Sequence, residues 1–339
     1  MRIKSNAKIT GRSAQEIPLV VARLFVFTLL FSIFTSHAFA QAVGETETIR
    51  IDTDLVNLNI SVFNRNSRAP ISELQTGDFI VLENNTPQPV TFFAAATTPF
   101  DLVLLLDLSG STANKIEIVR RSAKHFVEAA RPSDRIGIVT FADTWRLVSP
   151  LTTDRAALLA RIKKIKPYGS GTKFWDALAY LLQTLDGARR TASRRSAIIA
   201  MTDGIDNAIA DVPGDGSETD FGKLLEMVRR TDFSILPIYL DTEREMVKAQ
   251  RVPASAYFYA RQQLQLLAEE SGSPMYTARK LEDLQGVYTQ VIRDLSTVYS
   301  IGYHPLNKQR DGAYRRIVVR LASRKDLIAR TRSGYYAKH

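Results

Sequence analysis

Cysteine is missing from this chain. That excludes disulfides and thiolate metal centres. Histidine is nearly missing: His37, His125, His304 and His339 are isolated, and none stands in a His-Glu-x-x-His pattern. Gly-x-Ser-x-Gly and Walker A patterns are absent too, so the sequence offers no zinc-protease, nucleophile-elbow or P-loop chemistry. Beyond the first 40 residues no apolar run is long enough to cross a bilayer. The fold must therefore be held by an apolar core alone. A 339-residue chain that is 45% hydrophobic has enough material for one large or two modest domains.

The N-terminus has its own signature. Arg2, Lys4, Lys8, Arg12 and Arg23 make a basic leader, Leu24 to Phe34 is mostly apolar, and His37-Ala38-Phe39-Ala40 ends in an Ala-x-Ala pattern. Residues 1–40 read as a secretory signal peptide cut before Gln41. This predicts an exported chain: periplasmic, envelope-associated or extracellular. The leader is long for such a signal, so an uncleaved membrane anchor is the alternative. The formal net charge is +10, and the leader, with five basic residues against Glu16, supplies +4 of it. The remaining Lys and Arg are scattered. Arg310, Arg315, Arg316, Arg320, Arg324, Lys325, Arg330 and Arg332 crowd the C-terminal third. Alternation such as Arg316-Ile317-Val318-Val319-Arg320 fits the outer face of a strand rather than a nucleic-acid site. An anionic envelope surface is a natural neighbour for such a face.

Periodicity divides the rest of the chain into three stretches. Residues 41–97 read as β: Thr48 to Asp52, Leu55 to Phe63, Phe79 to Glu83 and Val90 to Ala94 are strand candidates, and Asn84-Asn85-Thr86-Pro87 is a turn. Residues 98–296 alternate short apolar runs with helical stripes. Lys115 to Ala130, Asp154 to Ile165, Trp175 to Leu185, Phe221 to Arg230, Leu264 to Glu270 and Leu281 to Leu295 are helices. Apolar runs between them predict a doubly wound, mostly parallel α/β sheet. Residues 297–339 return to β, with Val298 to Tyr303, Tyr314 to Leu321 and Leu327 to Tyr336 as strands. Three strands alone make a poor domain. The terminal stretches are therefore expected to pair into one β-sandwich flanking the α/β domain.

The most informative run is Val103-Leu104-Leu105-Leu106-Asp107-Leu108-Ser109-Gly110-Ser111. A buried strand ends in a carboxylate followed by two hydroxyls at alternate positions. Open α/β sheets bind ligands at the carboxyl ends of their strands. Three hard oxygen groups there suit a hard cation, Mg²⁺ above all. Gly169-Ser170-Gly171-Thr172-Lys173 is a loop before a helix, and Ala197 to Gly204 is a second apolar run, ending in Thr202-Asp203-Gly204. Singly these have plain readings. Ser111 or Thr112 would cap the helix from Lys115, and Thr-Asp-Gly would be a turn. Together they resemble the metal-ion-dependent adhesion site of von Willebrand factor type A domains. Asp107, Ser109, Ser111, Thr172 and Asp203 match that pattern in chain order, and the resemblance covers residues 98–296. Integrin β chains are similar in carrying such a domain inside a β-sandwich.

The resemblance implies that Ser109, Ser111 and Thr172 bind the metal directly and that Asp107 and Asp203 act largely through water. It implies Mg²⁺, with Mn²⁺ or Ca²⁺ as alternatives, and an open position for an Asp or Glu carboxylate of a partner protein. It also implies that the last helix, Leu281 to Leu295, can shift to change affinity. In the doubly wound order the strands ending at Asp107 and Asp203 are expected to be neighbours, so that a cation removes the repulsion between their carboxylates. The leading expectation is a non-enzymatic exported binding or adhesion protein. An envelope scaffold merely stabilised by metal is the alternative. A Mg²⁺-dependent phosphohydrolase is disfavoured because Ser109 stands where such chemistry wants an acidic residue. The segment from Ile205 to Asp220 reads as a flexible acidic rim, or as a second cation site. Glu243 to Arg261 reads as a surface excursion.

Overall fold

The eight-residue run Phe100–Asp107 (β5) has two apolar faces, and the structure buries both. In this computed structural model Leu102, Leu104 and Leu106 pack into one layer, and Val103 and Leu105 into the other. Such two-sided burial is what a central strand of a parallel sheet requires. The described residues are 55–67, 69–94, 98–110, 116–187, 194–322 and 324–338. They lie in one unit, Thr53–His339. The leader, the expected strand Thr48 to Asp52 and Ser111 lie outside the described residues.

β5 pairs in parallel with Arg135–Phe141 (β6) on one side and with Arg195–Thr202 (β8) on the other. Ser234–Leu240 (β9) and Tyr276–Ala278 (β10) extend the sheet beyond β8, and Trp145–Thr152 (β7) is its single antiparallel edge, giving the order β10-β9-β8-β5-β6-β7. Helices Ile116–Ala129 (α1), Arg155–Ile162 (α2) and Leu284–Leu295 (α7) cover one face. Phe174–Gly187 (α3), Phe221–Arg230 (α4) and Ala254–Glu270 (α6) cover the other. Between β9 and α6 lies the short helix Glu243–Lys248 (α5). The fold is α/β, doubly wound and mostly parallel, as the periodicity implies.

The terminal strands build the flanking sandwich. Val56–Asn64 (β1) and Val90–Ala94 (β4) sandwich Tyr299–Tyr303 (β11) in one four-stranded sheet, which Leu327–Arg330 (β13) completes. Phe79–Glu83 (β2), Thr86–Gln88 (β3), Tyr314–Leu321 (β12) and Gly334–Tyr336 (β14) form the other. Leu58, Ile60, Phe79, Tyr299 and Ile301 fill the space between them.

Three elements differ from the periodicity reading. The expected strand Leu327 to Tyr336 is two strands, because the chain changes sheets at 331–333: β13 pairs with β1 and β14 with β12. Thr86 and Pro87, read as a turn, begin β3. The turn falls on Asn84 and Asn85, both at positive φ (47° and 67°), and β3 is an edge strand, where proline's missing N–H is tolerated. The helix expected from Leu264 begins ten residues earlier, at Ala254. Its buried stripe, Ala256, Tyr257, Ala260, Leu264 and Leu267, is helical in spacing, but alanines and a tyrosine mask it.

The sheet is clamped at the end opposite its carboxyl ends. Asp101 on β5 accepts hydrogen bonds from Arg135 Nε on β6 and Arg194 Nε before β8, each at 2.7 Å. Burial alone would raise the Asp101 carboxyl, but the two guanidiniums outweigh it and hold it below the usual range. A depressed carboxyl stabilises the fold above its unfolded pKa and loses that contribution as pH falls. Asp101→Asn is therefore expected to cost about 1–2 kcal/mol at pH 7, discounted for the partial exposure of Arg135. Urea unfolding at several pH values should show the gap to wild type shrinking as pH falls below 3.8.

Candidate functional site

Leu106 on β5 and Met201 on β8 are register partners, so the two chains emerge from the same edge of the sheet one residue before Asp107 and Thr202. Asp107 and Asp203 are both buried there. The expected adjacency of these strands holds. Ser109 donates its amide to Asp107 Oδ1 (2.8 Å) and also bonds that carboxylate through its hydroxyl. Thr202 Oγ1 donates to Asp107 Oδ2 (2.7 Å) and accepts from Gly204 N (2.9 Å). Thr242, just past β9, donates from Oγ1 to Asp203 Oδ2 (2.8 Å) and contacts the Tyr257 hydroxyl (2.9 Å). These donors are neutral. Burial first, and the nearby Asp203 charge second, hold the Asp107 carboxyl well above the usual carboxylate range.

The loop carrying Thr172 is built against the same edge. Gly169 takes φ +72°, and a Cβ there would stand 2.1 Å from Asp143 Oδ2, so any side chain would be strained and would displace that carboxylate. The Asp143 carboxylate accepts the amides of Ser170 (2.9 Å) and Gly171. Thr172 receives Asn207 twice over: its amide donates to Asn207 Oδ1, and its carbonyl accepts from Asn207 N (3.0 Å). Gly110 N reaches Ser170 O at 3.4 Å. The three loops thus close around one cavity of about 220 Å³, whose lining includes Ser109, Thr172 and Asp203. Asp107 lies behind Ser109 through the hydrogen bonds above. Ser111 is outside the described residues. Among the described residues no three His, Cys, Asp or Glu side chains gather as a metal cluster. The expected ligand set has only two carboxylates, its other members being hydroxyls.

Residues 205–220 are tied down rather than a loose acidic rim. Asp206 is fully buried. Its carboxylate accepts the amides of Trp175 (2.9 Å), Ala208 (2.9 Å) and Ser217 (3.0 Å) and the Ser217 hydroxyl (2.7 Å). Asp176 accepts the amides of Glu218 and Thr219, and Asp220 caps α4 through Lys223 N. These carboxylates serve backbone amides. Nor is Glu243 to Arg261 a mere surface excursion. It forms α5 and the start of α6, and places buried Tyr257 against Thr242. Thr202, Thr242, Tyr257, Asn207 and Asp143 all shape the site without belonging to the expected ligand set. Thr242 was findable, since it follows the apolar run Ser234 to Leu240 as Thr202 and Asp203 follow theirs.

Residues 102–206 match the von Willebrand factor type A domain family. This chain contains a type A domain. A UPF0353 protein of Nocardia farcinica is 25% identical over 211 residues, covering 58% of this chain and 61% of that protein. The chain thus spans about three fifths of that relative's length. A von Willebrand factor type A structure from Catenulispora acidiphila is similar over 84% of this chain and 73% of its own, at 12% identity and TM-score 0.47. A conserved hypothetical protein, BatB, from Bacteroides thetaiotaomicron covers 58% of this chain and 98% of its own, at 15% identity and TM-score 0.44. Type A domains serve protein interaction and adhesion and are generally not enzymes. Among the described residues no helix is long and apolar enough to cross a membrane.

Thr242 links Asp203 to Tyr257, so Thr242→Val should cost about 1–3 kcal/mol by leaving a buried carboxylate oxygen short of a donor. Thr242→Ser, which keeps the hydroxyl, should cost less. Chemical denaturation of the three proteins measures the difference.

Proposed function

We propose that the type A domain is an exported, non-enzymatic binding module that grips an acidic side chain of a partner protein through a divalent cation. The cation would be held by Asp107, Ser109, Ser111, Thr172 and Asp203. The observation that carries this reading is the pair of buried carboxylates at neighbouring strand ends, where burial first and the Asp203 charge second raise the Asp107 carboxyl. Such a pair surrounded by neutral hydroxyls suits a hard cation, which satisfies oxygen donors and removes the like-charge cost at once. Mg²⁺ fits best, with Mn²⁺ and Ca²⁺ as alternatives.

These residues would hold the ion, which would supply an electrophilic position for an Asp or Glu carboxylate of the partner. The chain's own residues do the rest. Thr202 and Thr242 orient the two carboxylates, and Asn207 and Asp143 fix the loop that presents Thr172. The basic leader and Ala-x-Ala pattern support delivery to the periplasm, envelope or exterior.

Partner capture from an envelope extract tests the reading. Retention in Mg²⁺ that is lost in chelator and lost with Asp203→Ala is the expected result. A partner held equally in both conditions sinks it. Thermal melts supply a second readout. Saturating Mg²⁺ at 100 times its Kd should stabilise the wild type by about 2.7 kcal/mol. Asp107→Asn, relieved of repulsion, should melt higher than wild type in chelator yet gain nothing from Mg²⁺.

A further inference from the structure

A second cavity, of about 290 Å³, shares no lining residue with the strand-end site. It lies between β1, the C-terminal end of α4, the 305–310 loop and the approach to β14. Its lining is strongly biased in charge: Arg230, Lys308, Arg310, Arg315, Arg332 and Lys338 against Asp232.

These cations do not all have the same task. Arg315 is buried and structural, donating to Asn307 O at 2.6 Å and facing the buried Glu83 carboxylate at 3.4 Å. Arg332 donates to the carbonyls of Thr231 (3.1 Å) and Asn57 (2.9 Å). The Arg230 guanidinium lies over the Tyr336 ring, 4.5 Å from its centroid. Among the described residues neither Arg230 nor Lys308 has a carboxylate within ion-pair distance. Like charges from separate chain segments are thus gathered on one concave wall. Such like charges repel one another and attract an anion, because a concave wall focuses the field.

The shape narrows the class of anion. The cavity lies near the small end of the ligand-pocket range of about 300 Å³ and above. Its wall also carries Val56, Pro305 and the rings of Tyr335 and Tyr336, which suit an organic body. A guanidinium fork and an ammonium together match phosphate oxygens. A phosphate monoester carries about −1.5 to −2 at pH 7, enough to meet two cations.

We infer that this cavity binds a phosphate ester, with Arg230 and Lys308 meeting the phosphate and the tyrosine wall meeting the organic part. A soluble phosphorylated metabolite and a phosphatidic acid head group share that chemistry, both being phosphate monoesters. Calorimetric titration of the full chain with glycerol 3-phosphate, against glycerol, tests the soluble source. Flotation with phosphatidic acid vesicles, against phosphatidylcholine vesicles, tests the lipid source. Saturable binding in either arm is expected. It should be weakened at least tenfold by the double substitution Arg230→Glu with Lys308→Glu, and should fall as salt rises. Circular dichroism and the melting temperature establish that the variant is folded. If it is not, Arg230→Gln and Lys308→Gln, made singly, should each weaken binding at least threefold. Glycerol 3-phosphate binding assigns the soluble source, and vesicle binding alone assigns the head group. No binding in either arm, or binding that folded variants keep in full, overturns the inference.

Discussion

The interaction on which the architecture turns is a repulsion. Asp107 and Asp203 are buried at the ends of two hydrogen-bonded parallel strands, where burial weakens the screening of one charge from the other. Two carboxylates in such a place destabilise the fold unless something polar or charged meets them. Hydroxyls of Ser109, Thr202 and Thr242 and the Ser109 amide orient the oxygens, and these donors carry no charge.

Holding that arrangement requires a rigid frame. Both faces of the central strand are packed, by α1, α2 and α7 on one side and α3, α4 and α6 on the other. The Asp101 cluster ties β5 to β6 and to Arg194 at the far end of the strands. Carboxylates elsewhere, Asp143, Asp176 and Asp206, are used as acceptors for loop amides. The loop around Thr172 is thereby fixed by hydrogen bonds rather than by packing. The sandwich closes the chain at the other side, with β1 and β11 paired although their sequences lie far apart.

Much of this was legible in the sequence because its cause is local. Apolar runs such as Leu102 to Leu106 and Ala197 to Met201, with no polar alternation, announce doubly covered strands, and Asp107 and Asp203 follow them closely. The pairing of terminal strands followed from the instability of three strands alone. What stayed hidden depended on distant contacts. Leu327 to Tyr336 reads as one strand, because only the positions of β1 and β12 show where the chain must change sheets. The helix from Ala254 is masked because alanine and tyrosine fill its buried stripe. The acidic segment after Asp203 looks loose in sequence, since nothing local shows that Asp206 will meet Trp175 N and Ser217. Of the five expected ligands, Asp107, Ser109, Thr172 and Asp203 come to one edge of the sheet.

In the function proposed above, this edge holds one divalent cation. Equilibrium dialysis of the chain against Mn²⁺, a spectroscopically visible substitute for Mg²⁺, measures it directly. One equivalent bound by the wild type, and none by the double variant Asp107→Asn with Asp203→Asn, is the predicted result. An equivalent retained by the double variant, or none bound by the wild type, would contradict the account.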